Sequence, residues 1–326
     1  MNNRVLITLL LLMITTAVGC QGTGNNEPDP EAPDRASGET TAPAGPQENL
    51  LADRERRELY LDLDNYTQRW MTVRNEGNTQ AELSLHRTQI GPLVDKNLAE
   101  LLNQVRSGQN HPRQITAARA LGFTTRQGEV IPVLIMLLAD DDANLVTSIL
   151  VSLWLMANPE TPITPLVDLL NDRDEDVRNN CAMALSAVLR ARSSAGVSVP
   201  SDEVKRAAGR LVFLVSNTDE NEFVRAHAAS ALGAIGDPAA VDVLVNLLDD
   251  GSSAVRTRSA EGLGQLGDEQ AIPALIQGLQ GQRAANERTV IVAALAKIAH
   301  VQGYPCDTKA LGHDHENWRV WYMTVR

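Results

Sequence analysis

The sequence predicts an all-α fold built from repeated helix hairpins, and three observations support this prediction. The pair Val224-Arg225 recurs as Val255-Arg256 at an offset of 31 residues. Each unit contains two apolar patterns of helical period separated by a short polar turn, as in residues 241–266. Aromatic residues make up only 3% of the 326-residue chain while hydrophobic residues make up 43%, so the core must consist mainly of Leu, Ala and Val.

The repeat register places six hairpins along the chain. Each copy is anchored at the position that holds Val in the Val-Arg pair, at the start of the second helix of its hairpin. The six anchors are Arg113, Leu145, Val177, Val224, Val255 and Glu287. They are separated by 32, 32, 47, 31 and 32 residues. We expect the one long spacing to come from a loop insertion at residues 192–201, which contains Gly196 and Pro200.

The residues seven and eight positions past the anchor predict how the helices pack. Eight residues past it, every copy has leucine: Leu121, Leu153, Leu185, Leu232, Leu263 and Leu295. Seven residues past it, every copy has a small residue: Ala120, Ser152, Ala184, Ala231, Gly262 and Ala294. Small residues beside a leucine allow the helices of neighbouring hairpins to approach closely, and this explains how a core with few aromatic residues is filled.

Residues 224–237 and 255–268 match a known motif: Val-Arg after an acidic turn, a helix with Leu-Gly near its end, and then Gly-Asp. This motif resembles HEAT repeats, in particular the short type of the phycobilisome lyases. The resemblance places HEAT-like repeats at residues 111–300. It implies a right-handed α-solenoid of about six hairpins that binds a protein partner along its surface. Copies one and two lack the arginine, since Gln114 and Val146 stand in its place.

Helical segments are expected to cap both ends of the array, because terminal repeats would otherwise expose their apolar faces. Residues 51–110 hold the amino-terminal cap and the first helix of the first hairpin. An amphipathic helix within them is indicated by apolar residues at spacings of three and four: Leu59, Leu63, Tyr66 and Trp70. Residues 301–326 form the carboxyl-terminal cap, in which Trp318 and Trp321 lie one helical turn apart.

Residues 1–19 have the pattern of a signal peptide, with a short apolar stretch that is less than the 20 residues or so of a membrane span. The stretch ends Ala17-Val18-Gly19-Cys20, which resembles the lipobox of bacterial lipoproteins. The resemblance implies cleavage before Cys20 and lipid attachment to that residue. The alternative is an ordinary signal peptide followed by an incidental cysteine.

Residues 20–50 contain many acids and prolines and almost no apolar residues, as is typical of a disordered tether. Gln21 follows the cysteine, in place of the Asp that in bacterial lipoproteins directs retention at the inner membrane. We therefore expect a protein of the bacterial cell envelope, anchored by its lipid to the outer membrane and facing the periplasm. The anchor would make the membrane one of its partners.

The net charge and the cysteine count exclude two classes of protein. A formal net charge of −12 argues against nucleic acid as a partner, because phosphate binding needs an excess of Lys and Arg. Three cysteines are too few for a disulfide scaffold, so the fold must depend on packing.

A ladder of charges follows the repeat register. Arginines stand one residue past the anchor in the last four copies: Arg178, Arg225, Arg256 and Arg288. Aspartates stand five residues before it in four copies: Asp140, Asp172, Asp219 and Asp250. The ladder is either a binding site for an anionic ligand or a set of bonds between adjacent hairpins. We favour the second interpretation, because the resemblance implies that such arginines bond to turn acids and carbonyls.

The sequence does not predict a catalytic site, a metal site or a cofactor. Cys181 stands at a repeat position that other copies fill with Ala, Ser or Ile, which is typical of a buried residue. Cys306, His313 and His315 lie in a polar tail, and we do not expect a metal there. The deoxyhypusine hydroxylases, which are HEAT enzymes, bind iron through His-Glu pairs, and the repeats here contain none.

These observations favour a scaffold or adaptor that holds a protein partner. At the positions six and ten past the anchor, which should face outward, copies one to three hold an apolar strip of Phe123, Val151, Leu155 and Met183. Trp154, which stands where other copies have Gly, Ser or Ala, is expected to join this strip. The alternative is that the amino-terminal helix covers this strip. A second candidate function is that of a lyase-like HEAT protein that assists modification of a protein-bound chromophore.

Overall fold

The computed structural model describes residues 46–75, 80–280 and 283–326, and every regular element in these residues is a helix. The α-helices are α1 Pro46–Asn75, α2 Gln80–Lys96, α3 Leu98–Ser107, α4 His111–Ala120, α5 Gln127–Leu137, α6 Ala143–Met156, α7 Thr164–Leu169, α8 Glu175–Ala195, α9 Ser201–Ser216, α10 Glu222–Ile235, α11 Ala240–Asn246, α12 Ser253–Leu266, α13 Ile272–Gly278, α14 Ala285–Gln302, α15 Thr308–Leu311 and α16 His315–Val325. Short 3₁₀ turns lie at Leu121–Phe123, Leu247–Asp249 and Glu269–Ala271.

Residues 50–326 form one compact unit. The predicted signal peptide, Cys20 and nearly all of the predicted tether lie outside the described residues. Within the described residues, the helices are all too short or too polar to span a membrane.

Six successive hairpins make up the array, from α3–α4 to α13–α14. All six anchors lie in the second helix of a hairpin, and the second helices pack against one another in chain order: α4, α6, α8, α10, α12 and α14. The first helices form the other layer. The predicted all-α solenoid of six hairpins is confirmed. We call the side of the second helices that points away from the first helices the second-helix face.

Polar caps and glycines set the ends of the second helices. Asn110, Asp142 and Asp174 each precede a second helix and accept hydrogen bonds from backbone N–H groups of its first turn, which have no partner within the helix. Helices α10 and α12 end at Gly236 and Gly267, whose φ angles of 76° and 71° are strained for any residue with a Cβ atom.

The buried core contains the residues that the repeat register predicts. The six leucines eight residues past the anchors are all fully buried. The small residues before them are also buried, and they bring helices into backbone contact. Helices α10 and α12 lie so close that a Cβ atom built on Gly233 would lie 2.2 Å from the Cα atom of Gly262. Leucine and alanine therefore fill this core because the helices that carry them lie so close together.

The prediction of a loop insertion at residues 192–201 was wrong for half of that segment, since only residues 196–200 lie outside α8 and α9. Helix α8 continues to Ala195 and has 21 residues, whereas α10 and α12 have 14 each. Helix α9 has 16 residues, whereas α11 has seven. The extra residues therefore lengthen two helices, because Ser193 and Ser194 stay helical until Gly196 adopts a left-handed conformation with φ of 69°.

The carboxyl-terminal helix α16 packs on the last hairpin through its tryptophans. Trp318 is fully buried, and its indole N–H donates to the carbonyl of Gly312 at 3.0 Å. The indole N–H of Trp321 donates to the carbonyl of Pro305 at 2.7 Å. The two rings meet edge to face with centroids 5.2 Å apart. This segment closes the apolar end of the array.

Candidate protein-binding groove

Helix α1 lies on the second-helix face of the first two hairpins. Its Trp70 is 5% exposed and packs between two aromatic residues of the array. The Trp70 ring meets Phe123 edge to face at 5.6 Å between centroids and meets Trp154 at 5.8 Å. Trp154 stands where the other repeats have Gly, Ser or Ala at the contact between second helices. A ring of that size does not fit there, and it packs against α1 instead.

The predicted apolar strip is therefore not an open surface. Phe123, Leu155 and Met183 are buried, while Val151 and Trp154 are half-buried. The expectation that these positions face outward was wrong for the three buried residues, because it was drawn from the repeats alone. The structure has the alternative arrangement at Phe123 and Trp154, where Trp70 of the amino-terminal helix packs on the strip.

Polar contacts fix α1 on the array as well. Arg56 of α1 forms an ion pair with Glu100 of α3 at 2.8 Å. The guanidinium of Arg113 lies 5.5 Å above the ring of Tyr60, a cation–π contact between α4 and α1. Burial raises the pKa of Tyr60 to about 12, assisted by the charge of Glu100 and opposed by Arg113 and Arg56. The Tyr60 hydroxyl is therefore neutral at physiological pH.

A cavity of about 560 Å³ lies beside Trp70, between α1 and the second helices α4, α6 and α8. We call it the α1 groove. Its apolar part consists of Trp70, Met71, Phe123, Val151 and Leu155. Its polar part consists of Thr67, Gln68, Thr72, Arg119, Asn144, Thr147, Ser148, Asp176 and Asn180. An apolar floor with convergent polar groups is typical of a ligand-binding cleft.

Several polar groups in the α1 groove keep hydrogen-bonding capacity. Arg119 donates from Nε to the hydroxyl of Ser148 at 3.1 Å, and its other guanidinium nitrogens form no hydrogen bond that involves described residues. The Asn180 side chain uses one amide N–H on the carbonyl of Asp176 at 2.8 Å, and its oxygen is left to accept. The groove therefore offers both donors and acceptors along an apolar floor, which suits a peptide backbone with apolar side chains.

The charge ladder joins adjacent hairpins. Arg178 forms a bidentate pair with Glu220 of the next hairpin, with N–O distances of 2.9 and 2.8 Å. Arg225 pairs with Asp250 in the same manner, and Arg256 pairs with Glu287 at 3.1 and 2.6 Å. These carboxylates are each less than a tenth exposed, and the three buried pairs hold successive hairpins together.

The other ladder residues do not form arginine–carboxylate pairs of this kind. Arg288 belongs to the last hairpin, and no carboxylate of the described residues pairs with it. The Asp172 carbonyl accepts from Arg178 at 2.8 Å, and the Asp140 carboxylate accepts from the backbone N–H of Asp142 at 2.9 Å. Asp219 is exposed at its turn. Of the four predicted aspartates, Asp250 alone bonds to a ladder arginine through its carboxylate.

A family model for HEAT repeats matches residues 98–186 and 210–296, which together make up more than half of the chain. The chain belongs to the HEAT repeat family. The resemblance drawn from the repeat motif is confirmed, and the two matched segments lie on either side of the α8–α9 connection, where α8 and α9 are lengthened.

Solved structures of repeat proteins are similar to this HEAT array. A designed armadillo repeat protein in complex with the peptide (KR)4 is 19% identical over 61% of this chain and 98% of that chain, with a TM-score of 0.46. YibA of Escherichia coli is 16% identical over 88% and 99%, with a TM-score of 0.48. The complex of CpcE and CpcF of phycocyanin lyase from Nostoc is 17% identical over 78% and 93%, with a TM-score of 0.41. No match to a curated protein was found.

The cysteines and histidines of the HEAT array and its cap do not form a reactive cluster in the described residues. The Cys181 thiol is fully buried and donates to the carbonyl of Leu166 at 2.7 Å, and burial raises the pKa of this thiol. No group of three His, Cys, Asp or Glu residues in the described part of the chain is arranged to hold a metal ion. His313 lies 3.4 Å from the hydroxyl of Thr289.

Sequence reasoning missed a polar cluster on the second-helix face of the central HEAT repeats. Arg190 of α8 donates from Nη1 to the hydroxyl of Ser230 on α10 at 2.9 Å, and that hydroxyl lies 2.9 Å from the hydroxyl of Ser186. On α12, Arg258 pairs with Glu261 at 2.7 Å. The unusual length of α8 places Arg190 here, and the 47-residue spacing between anchors was its signal in the sequence.

Proposed function

We propose that the protein is a scaffold that binds an extended segment of a protein partner in the α1 groove. The observation that carries this proposal is the groove itself, with about 560 Å³ of space between α1 and three successive second helices. Its floor accepts apolar side chains, and its walls supply donors and acceptors for a backbone. Binding, and not catalysis, is the proposed activity. The formal net charge of −12 supports a protein partner over a nucleic acid.

We further propose that the scaffold is held at the bacterial outer membrane, facing the periplasm, by a lipid on Cys20. The sequence Ala17-Val18-Gly19-Cys20 and the following Gln21 support this. Cys20→Ala in the full chain is expected to abolish labelling by radioactive palmitate and to move the protein from the membrane fraction to the soluble fraction. Palmitate labelling of the Cys20→Ala protein equal to that of the wild type would contradict the anchor.

The groove is tested by filling it. Thr147 is half-buried in the groove on α6, and Thr147→Trp places an indole over the floor. Thr218 is exposed in the α9–α10 turn, remote in sequence from every element that lines the groove, so Thr218→Trp is the matched control. Full-length tagged proteins are captured from crosslinked cells, and the bound proteins are quantified by mass spectrometry.

We expect one protein to be enriched with the wild type and with Thr218→Trp and to be depleted about tenfold or more with Thr147→Trp, because a filled groove removes the apolar floor. Equal enrichment with both variants would place the binding surface elsewhere. Circular dichroism of each variant shows whether the fold is intact.

A further inference from the structure

Arg190 is a half-buried cation without a carboxylate partner in the described residues. Its guanidinium bonds to the neutral hydroxyl of Ser230, and no carboxylate of the described part of the chain forms an ion pair with it. This differs from the three ladder arginines that are paired, each of which has a bidentate carboxylate. A guanidinium that is withdrawn from water and bonded only to a hydroxyl has a large capacity to bind an anion.

The groups around Arg190 increase this capacity. Burial lowers the pKa of Arg190, the nearby charge of Arg258 lowers it further, and Glu261 opposes this effect. Glu261 already forms its ion pair with Arg258 at 2.7 Å. Two guanidiniums thus stand against one carboxylate, and the cluster keeps a net positive charge. A second carboxylate would neutralise it and relieve the repulsion between the arginines.

The charge distribution of the second-helix face also favours binding of an anionic group. Beyond their first turns, the second helices carry five cations with no ladder partner, against the single acid Glu261: Arg119, Arg190, Arg192, Arg258 and Lys297. The remainder of the chain is acidic, since its formal net charge is −12 overall. A basic face on an acidic protein attracts acidic segments and repels basic ones.

We propose that the cluster of Arg190, Ser230 and Arg258 binds an Asp or Glu side chain of the partner segment. This inference rests on the proposed function, since the segment that occupies the α1 groove would continue along the second-helix face from α8 to α12. The carboxylate would accept from both guanidiniums and from the hydroxyl of Ser230 or Ser186. The cluster would thereby select partner segments with an acid downstream of their apolar anchor.

The test uses a phage-displayed library of random eight-residue peptides selected on the immobilised full chain. Parallel selections use Arg190→Gln, Arg258→Gln and the control Arg210→Gln, whose arginine is exposed on the first-helix layer in α9. We expect Asp and Glu to be enriched among peptides selected by the wild type and by Arg210→Gln. This enrichment should be lost with Arg190→Gln and reduced with Arg258→Gln.

A double-mutant cycle then measures the contact directly. The tightest acidic peptide and its Glu→Gln form are titrated by fluorescence anisotropy against the wild type and Arg190→Gln. We expect each single change to weaken binding about tenfold, and the two together to weaken it no further, because both remove the same contact.

Each outcome of these selections is decisive. Peptides without acidic enrichment, or with acidic enrichment that Arg190→Gln does not change, would overturn the carboxylate site and leave the proposed function intact. A library that yields no binding peptide would overturn both. Thermal unfolding by circular dichroism checks that Arg190→Gln is folded, and Arg258→Gln provides the same test if it is not.

Discussion

Different contacts join neighbouring hairpins at the two ends of the HEAT array. From α8 onward, successive hairpins are joined by buried arginine–carboxylate pairs. In the first two hairpins the ladder positions hold Gln114 and Val146, and Gln114 donates within its own hairpin to the carbonyl of Val105 at 3.0 Å. There α1 supplies the missing contacts through Trp70. Where the repeats depart from their motif, an added helix stabilises them and leaves a groove beside it.

The largest effect is expected from Trp70→Ala, which removes the contacts of α1 with Phe123 and Trp154. Truncation of a buried tryptophan costs about 3–5 kcal/mol. Because this loss falls on the amino-terminal end alone, hydrogen exchange should rise in α1 and in the second-helix face of the first two hairpins. Exchange in α10, α12 and α14 should stay as in the wild type. A uniform rise across all six hairpins would show that the two ends are not held independently.

The next largest loss of stability is expected where a ladder arginine with a carboxylate partner is replaced, in comparison with one that has no such partner in the described residues. Arg225→Gln leaves the carboxylate of Asp250 buried without its partner, and the expected loss is about 3 kcal/mol. Arg288→Gln is the matched control at the same repeat position, and the expected change is below about 0.5 kcal/mol because no carboxylate of the described residues pairs with Arg288. Urea unfolding followed by circular dichroism compares them. Equal losses would show that the pairing does not matter.

A smaller loss is expected from Gly233→Ala. The added Cβ atom would meet the backbone of Gly262 and force α10 and α12 apart, at a cost of about 2 kcal/mol. The control Gly209→Ala lies within α9, where a Cβ atom meets no other atom within 4 Å, and it should stabilise the protein by about 0.5–1 kcal/mol. Opposite shifts of the thermal midpoint are therefore expected. A gain in stability with both variants would contradict the close packing of α10 and α12.

The smallest expected effect is a pH dependence of the stability that Glu220 contributes. Burial alone would raise the pKa of Glu220, but its hydrogen bonds with Arg178 and with the backbone N–H of Asn221 outweigh burial and lower it. A carboxyl whose pKa is lowered by folding stabilises the protein above its unfolded pKa, and this contribution is lost as pH falls through the folded value. The stability difference between the wild type and Glu220→Gln should be constant near neutral pH and shrink below about pH 4. A constant difference down to lower pH would exclude this linkage.

The repeat architecture could be predicted from the sequence because it repeats. Leucine in all six copies at one register position is a signal that no single copy provides, and each of those leucines is fully buried. The order of the hairpins followed from the anchors in the same way. The role of the ladder arginines followed in outline, but not all of their partners, since Glu220 and Glu287 do not stand at the position of the predicted aspartates.

The α1 groove could not be predicted, because it depends on a helix outside the repeats. The repeat register predicts that Phe123, Leu155 and Met183 face outward, and it contains no information on where α1 packs. Trp154 was the signal, since a tryptophan at a position of small residues requires a partner outside the regular stack. Arg190 was missed for a related reason: it stands 13 residues past its anchor, beyond the positions at which α10 and α12 end.

The most direct test of the account is photo-crosslinking from inside the groove. Benzoylphenylalanine in place of Asn144, which is exposed and lines the α1 groove, should give a discrete adduct with one protein in cells that produce the full chain. The adduct should disappear when Thr147→Trp is added, and the same probe at Thr218 should give none. Absence of an adduct from Asn144, or an equal yield from Thr218, would contradict the claim that this groove holds the partner.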